Sequence, residues 1–358
     1  MEPMRDSRAY TLRPYPVPTE LFRVTFPKLY RVVLAIGLIF YPSGIVSNHM
    51  PDFGVTHESA DLKRVLVHHP GNELNEANRD PVAHHFECAV DIKQFQHDHQ
   101  LLMDALREAG VEVLDVGTLL ADDKQMQGLI KHAPNLVFTR DSSTVTEAGA
   151  ILFRMGLPSR RAETPIIRAA HEAAGTPIAH QMKEPMTFEG GGFALLEGNV
   201  AVAGKCDRSN QSALDDLRSF LLNEQIVDQF IQLNMPKGCV HIDGEFAELP
   251  GKRAIALREA LQMYPANFYT RGEQWDGDYV EWLIDDGYDI IEITKQEALD
   301  AAANFLTVHQ DLVIQYTGND RVMKEVRERG IEVVQIPGDE MKRGCGGIHC
   351  MTCPVLRV

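Results

Sequence analysis

A recurring unit constrains this chain more than any other feature. From residue 135 onward the sequence reads as strand, tight turn, strand and helix, repeated about every 50 to 60 residues. Residues 135–141 read as a strand ending in Asp141, followed by a turn, a second strand at 150–154 and a helix near 160–174. Phe188-Glu189-Gly190-Gly191 leads into strands at 194–196 and 200–203 and a helix at about 209–224. Cys239-Val240-His241-Ile242-Asp243 precedes a turn at Pro250-Gly251 and a strand from Ala254. Asn304-Phe305-Leu306 opens a further hairpin, closed by a helix at about 319–329. Neighbouring strands joined by tight turns are antiparallel, which excludes a doubly wound sheet. The period suggests an array or a propeller-like closure. Upstream, 62–68 reads as a strand, 81–110 as one or two helices, 111–114 as a strand and 117–133 as helical.

Polar residues recur at one place in each unit: Asp141, Glu189, and the pair His241 and Asp243. A single strand-end carboxylate is ordinarily a turn cap. Several at equivalent positions are harder to explain that way. Units arranged about an axis would bring them to one centre.

A second concentration of chemistry lies near the C-terminus, in Gly344-Cys345-Gly346-Gly347-Ile348-His349-Cys350-Met351-Thr352-Cys353. Gly346 and Gly347 permit backbone conformations and close approaches closed to other residues. Cys350 is a candidate nucleophile. Its neighbour His349 is expected on the opposite face, because side chains alternate along a strand. The plain reading is a turn into a buried final strand carrying two packed thiols. A catalytic cysteine therefore needs partners from elsewhere in the chain.

Charge narrows what those partners serve. A formal net charge of -16 with no Lys/Arg cluster argues against nucleic acid. An acidic surface weakly attracts cationic small molecules. The six cysteines are spread over a long chain, which reads as a reduced, cytoplasmic protein. Cys350 and Cys353 have CxxC spacing, but no second pair completes four zinc ligands, so no metal is expected.

Residues 1–49 differ from the rest. A short apolar run, 32–41, follows Lys28 and Arg31 and is too short to span a bilayer. The expectation is an N-terminal extension, poorly ordered or translated from an upstream start, with the protein proper opening at Met50. A signal or anchoring segment and an amphipathic helix are the alternatives. Residues 50–358 are expected to form a single catalytic domain.

The motifs Phe138-Thr139-Arg140-Asp141, Leu157-Pro158-Ser159-Arg160, Phe188-Glu189-Gly190-Gly191, Asp207-Arg208-Ser209, His241-Ile242-Asp243 and Gly346-Gly347-Ile348-His349-Cys350-Met351-Thr352-Cys353-Pro354 occur in one order. In that order they resemble the guanidino-group-modifying enzymes, and bacterial arginine deiminases most of all. The resemblance implies an α/β fold, a fivefold pseudo-symmetric α/β propeller of strand-strand-helix repeats. It also implies a cofactor-free hydrolase acting on a small-molecule guanidino substrate, arginine, with no nucleic acid and no membrane as partner. A homo-oligomer is compatible with it.

The roles implied make physical sense. Asp141 and Asp243 would grip a planar guanidinium by charge-assisted hydrogen bonds. Cys350 would attack its carbon, the bound cation favouring the thiolate. His241 would be the general acid and base, oriented by Glu189. Arg160 and Arg208 would bind an α-carboxylate, and Gly346 and Gly347 would let the thiolate reach a flat cation. An amidinotransferase sharing the cysteine intermediate, a dimethylarginine hydrolase and an arginine dihydrolase remain alternatives.

Three departures from the family pattern bear on the substrate. Gly192 stands where a carboxylate usually follows Glu-Gly-Gly. Cys345 stands where many arginine deiminases carry an arginine. The segment between His69-Pro70-Gly71 and Phe138 is too short for the extra helical domain of the long bacterial enzymes.

Overall fold

Short hairpins alternating with amphipathic helices build five separate sheets in the computed structural model, which describes residues 52–358. The expectation for residues 1–49 lies outside the described residues. Each sheet has the same core. Strands Ser143–Thr146 and Gly149–Leu152 pair antiparallel, helix Glu163–Ala173 crosses over, and Ile178–Gln181 returns parallel to the second strand. The pattern recurs in Phe193–Leu196, Val200–Lys205 and Gln229–Asn234. It recurs in Phe246–Leu249, Arg253–Ala256 and Asp289–Glu292, and in Leu306–His309, Leu312–Tyr316 and Glu332–Ile336. The fifth sheet joins distant parts of the chain. Cys353–Arg357 lies antiparallel to Leu62–Val67, which lies parallel to Glu112–Asp115.

The expected unit thus lacked its third strand. A helix between two strands is long enough to let the second run parallel to the first, which a tight turn cannot do. One sheet is longer than the others: Ala266–Tyr269 and Gln274–Gly277 extend it to five strands. The hairpins are set by turn chemistry. Gly198 and Asn199 take φ of 90° and 61°, the left-handed backbone a tight hairpin needs.

The helices obey their local signals. Asp91 accepts from the backbone N–H groups of Lys93 and Gln94 and so starts helix Ile92–Glu108. That helix buries Phe95, Leu102 and Leu106. Asn210 caps Gln211–Asn223 in the same way. No helix of the described residues is long and apolar enough to cross a membrane.

Residues 135–141 are not a strand. Pro134 opens a 3₁₀ turn, Pro134–Val137, and a second, Thr139–Ser142, carries Asp141. Leu136, Val137 and Phe138 are all buried, and a short apolar run reads alike as strand or as buried turn. The same device recurs: turns Gly190–Gly192 and Ile242–Gly244 stand just before the first strands of their units. Asn304 precedes Leu306–His309, and Cys350 lies in a turn ahead of Cys353–Arg357. Every unit therefore places a polar or reactive residue at the entrance to its first strand.

Candidate active site

These five entrances meet. Cys350, Asp243, His241, Glu189, Asp141 and Asn304 line one cavity of about 400 Å³. Each is held by backbone that cannot easily move. Asp141 N–H bonds Phe138 O, and Arg140 N–H bonds Cys350 O, tying the first unit's turn to the turn that carries Cys350. Gly191 leaves the room between His241 and Asp141, since a Cβ there would fall 2.5 Å from His241 Nδ1.

The buried Cys350 thiol donates to Asp243 Oδ2 at 3.2 Å and accepts from Asn304 Nδ2 at 3.1 Å. Asn304 Oδ1 in turn accepts from the Cys350 backbone N–H at 3.3 Å. Burial and the charges of Asp243 and Asp141 push the thiol well above its ordinary pKa. Asp243 is held below the usual carboxylate range: burial opposes this, and the hydrogen bond from His349 overrides it. A cation placed between the carboxylates would oppose the thiol's shift and favour thiolate.

Across the cavity His241 Nε2 donates to Glu189 Oε2 at 3.0 Å, and its Nδ1 lies 3.6 Å from Asp141 Oδ1. Burial alone would lower the imidazole pKa, but Asp141, Glu189 and Asp243 raise it to about 9. Glu189 is held rigidly. Its Oε1 accepts from the backbone N–H groups of Gly156 and Leu157 at 2.9 and 3.2 Å. Burial would raise its pKa, but His241, Arg160 and Arg208 hold it well below the usual range.

The His241 proton has a consequence for folding. The folded pKa lies above the ordinary value of 6.5, so its stabilisation is fully present below pH 6.5 and lost as pH rises through about 9. Urea unfolding at pH 6 and pH 9.5 is expected to show a drop in stability that His241→Asn lacks. Equal pH dependence in both proteins would show that His241 does not carry this proton.

Arg160 lines the cavity and is 5 % exposed, and its Nε and Nη2 fork onto Glu163 at 2.8 Å each. Nη1 donates to Asp141 Oδ2 at 2.6 Å and lies 3.6 Å from Glu189, while Nη2 reaches Asn135 O at 3.3 Å. Four of its five N–H groups are thus hydrogen-bonded inside the protein, and one on Nη1 is left. Arg208 is freer, with one contact to Glu189 Oε1 at 3.5 Å.

Gly346 and Gly347 line the cavity, but neither has left-handed φ; that backbone falls on Cys345, at φ 60°. Their lack of a side chain matters sterically. A Cβ at Gly346 would overlap the Phe138 ring, and one at Gly347 would overlap Asn304 Oδ1.

The site also contains residues that sequence reasoning passed over. His349 was expected on the face opposite Cys350, yet its Nδ1 donates to Asp243 Oδ2 at 3.1 Å, the oxygen that also faces the thiol. The alternation rule holds on strands, and this segment is a turn. Asn304 was visible as the fourth unit's strand-entrance residue but carried no role. Glu163 falls in the stretch that carries the family resemblance, Leu157 to Thr164, but was given no role. Cys353 leaves the site altogether: its sulfur lies 3.5 Å from Ser143 Oγ.

Asp141, Glu189 and His241 each offer a ligand atom within 4.8 Å of the others. A protonated His241 and the Arg160 guanidinium beside Asp141 already neutralise these carboxylates, so the cluster suits a proton better than a metal ion. What remains unpaired is informative. Asp141 Oδ1 is buried with no hydrogen-bond partner.

The arginine deiminase family model matches residues 121–357. An arginine deiminase of Rhodococcus erythropolis is 23% identical over 408 aligned residues, covering 85% of this chain and 97% of the relative. Among solved structures, a DDAH of Pseudomonas aeruginosa complexed with citrulline superposes with a TM-score of 0.62 at 19% identity, covering 82% and 99% of the two chains. The N-terminal domain of ArgZ, an arginine dihydrolase from Cyanobacteria, bound to its product, matches with a TM-score of 0.62 at 19% identity, covering 83% and 98%.

Proposed function

The chain belongs to the arginine deiminase family, within the guanidino-modifying hydrolases and amidinotransferases, and on that premise we propose that it hydrolyses free L-arginine to L-citrulline and ammonia. The observation that carries this reading is the unpartnered Asp141 Oδ1 in the cavity that holds the Cys350 thiol. A guanidinium supplies the N–H donor that this oxygen lacks, and its positive charge suits the carboxylates of both Asp141 and Asp243.

Binding of the cation offsets the two carboxylates that raise the thiol pKa, and the thiol proton leaves to solvent. The thiolate attacks the guanidino carbon. The His241 imidazolium protonates the departing nitrogen, and ammonia leaves an S-amidino intermediate on Cys350. Neutral His241 then takes a proton from water as the water oxygen attacks the same carbon. The C–S bond breaks and a ureido product remains. Glu189 orients the imidazole throughout. Arg208 binds the α-carboxylate, whereas Arg160 positions Asp141 and Glu189. Gly347 clears the space in which Asn304 holds the sulfur. We read the five units as blades of a fivefold pseudo-symmetric propeller, because each delivers a group to one cavity.

The test is a product analysis with L-arginine, with and without glycine or lysine. Citrulline and ammonia in equal amounts are expected. Ornithine with an amidinated acceptor would establish a transferase instead, and ornithine with two equivalents of ammonia a dihydrolase.

A further inference from the structure

The head of an amino-acid substrate carries an ammonium as well as a carboxylate, and the cavity holds one desolvated carboxylate with nothing to bind. Glu245 lines the cavity two residues beyond Asp243. Its Oε2 is buried and has no hydrogen-bond partner. Its backbone is fixed at both ends: Glu245 N–H bonds Ile242 O, and Glu245 O accepts from Leu257 N–H. The other carboxylates of the cavity interior are engaged. Asp141 holds Arg160, Glu189 holds His241, and Asp243 holds His349 and the thiol. Glu87, also at the cavity, is exposed and needs no partner beyond water. Lys295 acts on Glu245 only through space, with no ion pair between them among the described residues.

A half-buried carboxylate without a partner is costly unless a ligand supplies the donor. With the guanidinium end of the substrate beside Cys350, the cavity lining still offers cations in Arg208 and Lys342 and an unspent anion in Glu245.

We propose that Glu245 is a specificity-determining residue that binds the substrate's α-ammonium and so selects free amino acids over guanidino compounds lacking an α-amine. The proposal rests on the guanidino-hydrolase reading above. It places the ammonium and carboxylate of one head group on Glu245 and Arg208, whose opposite charges discriminate both ends of that zwitterion. Burial and the charge of Asp243 raise the Glu245 pKa, and a bound ammonium would bring it back down.

Glu245→Gln keeps the shape and removes the charge. Steady-state kinetics with L-arginine are expected to show KM raised about tenfold or more, the loss falling in KM rather than kcat. With 5-guanidinopentanoate, which is arginine without its α-amine, the variant and the parent are expected to have the same KM. An unchanged KM for L-arginine would overturn the proposal. So would an equal rise for both compounds, which would mark a merely structural effect. If the parent protein turns over neither compound, the hydrolase reading fails by itself. Calorimetric binding of the same two ligands then reads the same contrast, and the absence of any difference between parent and variant would overturn the role of Glu245.

Discussion

Replacing Cys350 by serine is expected to lower turnover of L-arginine on the order of 10⁴-fold or more. The hydroxyl is nearly isosteric, so Asp243 and Asn304 keep a hydrogen-bonding partner and the fold is undisturbed. What is lost is the nucleophile. A serine hydroxyl beside two carboxylates has no base of sufficient strength to ionise it, since His241 already carries its proton below about pH 9. Acid quench of the parent protein during turnover, followed by intact mass, is expected to show the added amidino group, and the variant is expected to show none. Ligand binding should survive, because on the proposed reading Asp141 and Asp243 grip the guanidinium without the sulfur. Residual turnover within tenfold of the parent would mean that the cysteine intermediate is not on the reaction path.

The second large effect concerns stability. Arg160→Met is expected to destabilise the protein by about 3–5 kcal/mol, measured by urea unfolding at neutral pH. The guanidinium is surrounded by Asp141, Glu163 and Glu189, and all four side chains are almost wholly buried. Removing it leaves Glu163 with no cation beside it, and Asp141 and Glu189 with only His241 and Arg208 to offset them. Glu163 shows how close this balance is. Burial and the neighbouring carboxylates still raise its pKa despite the fork to Arg160. Adding Glu163→Gln to Arg160→Met should therefore recover part of the loss, a coupling that a double-mutant cycle reads directly. Arg160→Lys should not rescue, because an ammonium cannot make the fork. The alternative is sharply different. If Arg160 bound a substrate carboxylate, its replacement would raise KM and leave stability nearly unchanged.

Much of this was legible in the chain, and for identifiable reasons. Hairpins with positive-φ turn residues, such as Gly198 and Asn199, and helices with side-chain caps, such as Asp91 and Asn210, announce themselves locally. The repeat made Asp141, Glu189, His241 and Asp243 stand out at equivalent positions, and the cavity brings them together with Cys350. Local signals failed where tertiary contacts decide. The run 135–141 is apolar enough for a strand, but Arg140 gives its N–H to Cys350 O, 210 residues on, and the backbone curls into turns. His349 was misplaced because alternation was applied to a turn. Nothing in the neighbourhood of Arg160 reveals that Asp141 and Glu189 will close around it. The unpaired oxygen of Glu245 has no sequence signature, since an exposed glutamate and an orphaned one are spelled alike.

The pairing of Leu62–Val67 with Cys353–Arg357 also has a temporal meaning. A chain growing on the ribosome acquires Asp141, Glu189, His241 and Asp243 in that order, and each hairpin and its helix can form as it emerges. Cys350 comes last. It is delivered to the others only when the strand that follows it finds one made almost 300 residues earlier, a long loop closure. The nascent protein therefore holds these charged side chains around an incomplete cavity until that final zipper closes.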